Sequence, residues 1–166
     1  MSPMPSIIRV RGEGACSVVF DTRTLPIVFS TWQGVPDIAL IEAYFDIQTK
    51  TAKQLLERNQ KMVLVTDGRN MGRATALGRQ RIAELSNAQR ELYGATMVGS
   101  CTVITSALLR GVITALGWLD EGMRVPTLPT LEAGVAWANE QLVKAGIPAP
   151  ARVDLDAVML AAANEG

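Results

Sequence analysis

Downstream of residue 26, short β-branched runs alternate with longer stretches whose apolar residues recur at helical spacing. That alternation is what most restricts the fold. "KMVLVTD" (61–67) is a compact apolar run, and "GATMVGSCTVITS" (94–106) is a second. Between and around them, Ile41, Tyr44, Phe45, Ala52, Leu55 and Leu56 mark a long amphipathic helix from Ile38 to about Arg58. Gly78, Ile82, Leu85 and Leu92 mark another, from Thr75 to about Leu92. A hairpin precedes them in "SVVFDTRTLPIVFSTWQG", with its turn near Asp21–Thr24 and Pro26 at the start of the second strand. "MRVPTLPT" reads as an edge strand. "TLEAGVAWANEQLVKAG" is a last long helix, with Thr130 as N-cap and Gly146 just past its end. The pattern predicts an α/β fold with a mixed, mostly parallel sheet of about four to five strands and about four helices.

The chain of 166 residues suits one domain with a sizeable core. Sixteen basic and sixteen acidic residues cancel, which argues against a general electrostatic grip on nucleic acid or an anionic membrane. There is no histidine, so Ser-His and Cys-His nucleophile systems and imidazole-dependent metal sites are excluded. Cys16 and Cys101 match no metal spacing, and Cys101 sits in an apolar run where a thiol behaves as a small hydrophobe. No signal-peptide core is visible. Arg110 interrupts the apolar stretch 97–119, so no membrane span is expected and a cytoplasmic location is.

"VTDGRNMGRAT" (65–75) is the candidate site, because it lies where a strand hands over to a helix. Gly68 and Gly72 allow tight turns, Arg69 and Arg73 supply cations, and a helix N-terminus leaves backbone N–H groups unpaired. Asp67, Gly68, Arg69, Asn70, Arg73 and Thr75 could therefore hold an anion or a phosphate ester, or Thr75 could receive a phosphate. The structural alternative is that Thr75 caps the helix, Asp67 binds its own loop and the arginines are solvated. Gly68-x-x-x-Gly72 lacks the Gly-Lys-Ser/Thr of a P-loop. No acidic pair stands out as an acid/base couple or metal site, and no cofactor is implied.

"ALLRGVITALGWLDEG" (107–122) reads as a third helix, apolar on nearly all sides. Such a helix must bury both faces. One face can meet the sheet while the other meets Val135 and Trp137, an apolar ligand, or a second copy across Leu109, Arg110, Ile113 and Trp118.

Together "LPIVFSTWQGVPD", "MVLVTDGRNM", "ALLRGVITALGWLDE" and "RVPTLPTLEAGVAWA" resemble the SpoIIAA-like, or STAS, family, and within it the divergent bacterial branch described as STAS/SEC14-like. The resemblance is one of layout and covers about residues 17–145. It implies a superhelix of strand–helix units around a mixed sheet. The chain then divides into residues 1–16, an N-terminal extension, 17–146, the domain, and 147–166, a Pro/Ala linker ending in a short helix-capable tail. Better-known members are anti-sigma-factor antagonists, switched by phosphorylation of a serine in an Asp-Ser-Ser-Gly type motif. This chain has Asp67-Gly68-Arg69 there instead, and Thr75 is the hydroxyl near that place. The expectation is a non-enzymatic interaction module, binding a protein partner or itself as a homodimer. The alternative is a carrier or sensor of a small apolar or amphipathic ligand.

Overall fold

The computed structural model describes residues 7–107 and 125–163. Their order is β1 (Ile7–Arg11), β2 (Ser17–Asp21), β3 (Ile27–Gly34), α1 (Ile38–Glu57), β4 (Met62–Met71), α2 (Ala76–Ala88), α3 (Arg90–Thr96), β5 (Met97–Val103), β6 (Thr127–Leu128), α4 (Leu131–Lys144) and α5 (Leu155–Ala163). One sheet of six strands takes them in sequence order. β1, β2 and β3 are antiparallel neighbours, whereas β3, β4, β5 and β6 run parallel. The class is the expected one, and the described residues form six strands and five helices.

The alternation of side chains across the central strands builds two cores. Val28, Trp32, Met62 and Leu64 pack on one face with Leu40, Ile41, Tyr44, Phe45 and Leu55 of α1. Ile27, Phe29, Val63, Val65, Cys101 and Val103 pack on the other with Leu131, Ala138 and Leu142 of α4. With both faces covered, β3 and β4 read as near-continuous apolar runs rather than alternating ones. Polar residues on the α1 face are paired: Ser30 donates to Thr66 at 3.0 Å and accepts from the Tyr44 hydroxyl at 3.4 Å. Tyr44 also meets Phe20, Trp32 and Phe45 edge-on, at centroid separations of 6.0, 4.6 and 5.6 Å.

Helix ends follow local rules. Asp37, Thr75 and Thr130 cap α1, α2 and α4, each accepting from the backbone N–H three residues on. α1 and α4 both end in a Schellman motif, with Asn59 and Gly146 at positive φ. Gln60 N–H reaches Leu55 C=O at 2.8 Å, and Ile147 N–H reaches Leu142 C=O at 2.9 Å.

Three boundaries differ from the sequence reading. β1 forms inside the stretch read as an extension, because all five of its residues find partners on β2. β4 runs on through the segment read as a loop, as far as Met71. Its pairing with β3 resumes at Gln33–Asn70 and Gly34–Met71 after an irregularity that gives β4 one extra residue. The helix expected from Thr75 to Leu92 is interrupted at Gln89, and a further turn carries on to Thr96. The tail contributes α5, which buries Val158 and Ala161 against the β2 flank. The helix expected at 107–122 lies, but for Ala107, outside the described residues, as do Leu109, Arg110, Ile113 and Trp118.

Candidate functional site

At the carboxyl end of the parallel strands, Asp67, Gly68, Arg69 and Asn70 are part of β4, and Arg73 and Thr75 lie in the connection to α2. Asp67 points to the α4 face, level with Thr31 on β3 and Val103 on β5, and is 4% exposed. Its carboxylate takes both arms of the Arg69 guanidinium, Nε to Oδ1 at 2.9 Å and Nη2 to Oδ2 at 2.8 Å, and the Arg69 N–H at 3.2 Å. The backbone bond is of the Asx type, which explains how an extra residue sits in β4 at this point. Bonding to Asp67 raises the Arg69 pKa above its ordinary value, against desolvation and with help from Glu132. A guanidinium held bidentate by a buried carboxylate has its fork already occupied.

Thr75 lies at the α2 N-cap and spends its oxygen on the Gly78 N–H at 3.0 Å. Asn70 and Arg73 are exposed. Gly72 bonds from its N–H to Gly34 C=O at 2.9 Å, and a Cβ there would stand 2.5 Å from Val35 Cγ2, so the β3–α1 and β4–α2 connections are closed on each other. The structure therefore brings Asp67 and Arg69 together as a pair, the carboxylate buried and the guanidinium partly open to solvent, and leaves Asn70, Arg73 and Thr75 along the adjoining strand end and connection. Asp67 binding its own local backbone is the structural alternative weighed from sequence.

A second pair of the same kind lies on β2, beyond what the sequence reading singled out. Asp21, 2% exposed, takes the Arg23 N–H at 3.0 Å, Nε at 3.0 Å and Nη2 at 2.7 Å. Arg23 Nη2 also donates to the Ala157 carbonyl of α5 at 3.1 Å, and Arg9 of β1 forks onto the Ala161 carbonyl at 3.2 and 2.5 Å. The signal available in the sequence was the repeated Asp-x-Arg after a β-branched run, at 21–23 and 67–69.

Other reactive groups are shielded. Burial pushes the Cys101 thiol up to about 12. Cys16 is buried and donates to Asp37 Oδ2 at 3.3 Å. Among the described residues no cluster of three or more Cys, Asp or Glu could hold a metal, and no helix is long and apolar enough to cross a membrane.

No family model matches this chain, and no curated protein does. Among solved structures it is similar to an uncharacterized protein of the DUF3478 family with a SpoIIAA-like fold, from Shewanella loihica PV-4. The two share 10% identity over 83% of this chain and 98% of that one, with a TM-score of 0.50. The fold is SpoIIAA-like. At this identity the similarity concerns architecture alone, and within the SpoIIAA-like layout this chain carries its Asp67–Arg69 pair in a bulged β4 just before α2.

Proposed function

We propose that this SpoIIAA-like domain is a non-enzymatic protein-interaction module that docks a partner at the carboxyl end of β3 and β4. The observation that carries the reading is apolar exposure at that end. Val35 is 52% exposed, Ile38 38% and Leu77 71%. α1 and α2 both start where parallel neighbouring strands finish, so these residues border one end of the sheet, with exposed Asn70 and Arg73 beside them. An apolar centre rimmed by polar groups is the usual anatomy of a protein contact. The buried carboxylate at this end of the sheet, Asp67, is committed to Arg69, which supports binding over chemistry here.

A photo-crosslinking side chain placed at Leu77 tests this in the native host, with the same group at Val143 on α4 (70% exposed) as the reference. Adducts of defined mass from Leu77 alone support the reading, and their mass separates a second copy from another protein. Indistinguishable patterns from the two positions refute it.

A further inference from the structure

A cleft of about 550 Å³ opens at the amino end of the sheet, away from the proposed docking end. Its walls are the two Schellman ends on opposite faces of the sheet, Asn59 and Gln60 after α1 and Ala145 to Pro148 after α4. Leu25, Pro26 and Leu55 complete an apolar floor. The volume is within the range of small-molecule sites, about 300–1,000 Å³, and an apolar lining with few polar groups is their usual character.

The charge of the site follows from one residue. Among the residues that line the cleft Lys61 alone is charged, and it is exposed at the rim with no ion pair among the described residues. Helix C-termini carry partial negative charge and would favour a cation. Here the N–H groups of Arg58, Asn59 and Gln60 cover the last-turn carbonyls of α1, and those of Ala145, Gly146 and Ile147 cover the carbonyls of α4. Lys61 is then the one full charge that the lining offers a ligand, and it is positive.

We propose that this cleft binds a small amphipathic carboxylate, its apolar body between Leu25, Pro26 and Ile147 and its carboxylate on Lys61 Nζ. The proposal is independent of the docking reading, because it uses the other end of the sheet.

Amide chemical shifts, recorded on the full chain with octanoate, octanol and octylammonium as probes, test it. Octanoate is expected to move the amides of Asn59, Gln60, Lys61 and Ile147 saturably and to bind more tightly than the other two. Lys61→Gln should weaken octanoate about two- to five-fold, as for a partly exposed ion pair, without changing octanol. Lys61→Glu should transfer the preference to octylammonium. Both variants change an exposed side chain and leave the Schellman bonds in place. Absence of shifts at these amides at millimolar octanoate overturns the proposal, and so does equal binding of the two charged probes that Lys61→Glu leaves unchanged.

Discussion

Replacing Arg69 by methionine removes the guanidinium and keeps most of the aliphatic stem. Asp67, 4% exposed with Arg69 in place, then keeps a single one of these donors, the residue-69 N–H at 3.2 Å, having lost two charge-assisted bonds of 2.9 and 2.8 Å. Removing one partner of a buried ion pair costs about 3–5 kcal/mol, because the other charge is stranded. The Arg69 side chain is 30% exposed, so water can reach part of the vacated space and the expected loss falls to about 2–4 kcal/mol. With a urea m-value of about 2 kcal/mol/M, the midpoint of equilibrium unfolding near neutral pH should drop by about 1–2 M. Asp67→Asn combined with Arg69→Met should be less damaging than Arg69→Met alone, since no charge is then left behind. A variant within about 0.5 kcal/mol of wild type would refute the reasoning. If phosphate then stabilised wild type and not the variant, Arg69 would be an anion ligand after all.

Gly34→Ala should destabilise the domain by about 2 kcal/mol or more in thermal unfolding, because Gly34 has φ of +74° and its Cβ would run into the Ala15 carbonyl. Thr75→Ala removes the α2 cap and should cost about 1 kcal/mol, whereas Thr75→Ser should cost little, both read by urea midpoints. The Asp37 carboxyl is held below its ordinary value, first by the Leu40 N–H and then by the Gly14 N–H, so its contribution is present above that value and disappears as pH falls through the lowered one. Asp37→Asn should therefore flatten that part of the acid limb of a stability–pH profile. Cys101 should resist a thiol reagent in the native protein at neutral pH and react fully in denaturant, as burial keeps it a neutral thiol.

What the sequence disclosed was whatever is decided within a few residues. Thr130 and Gly146 could be placed at the ends of α4 because a cap is made between a side chain and an N–H three residues on, or by a single positive φ. The apolar faces of α1 and of the central strands were readable for the same reason. The polar run Asp67–Asn70 reads as a loop, and only its distant pairing with Gln33 and Gly34, with Arg69 covering Asp67, makes it strand. β1 is likewise a product of its partner, since five residues of "IIRVR" have no strong pattern alone. The cleft could not be anticipated, because Pro26, Asn59 and Ile147 are adjacent only once three elements have packed.

The hydrogen bond from Arg9 to Ala161 spans 152 positions, nearly the full described chain. During synthesis every strand of the sheet emerges before the β1–β2 flank can acquire its α5 cover. Until then Val19 and the Asp21–Arg23 pair lie open on the nascent polypeptide. α5 is thus a latch, and chains cut short upstream of it would have a complete central sheet and a bare margin, the kind of surface that quality-control chaperones recognise.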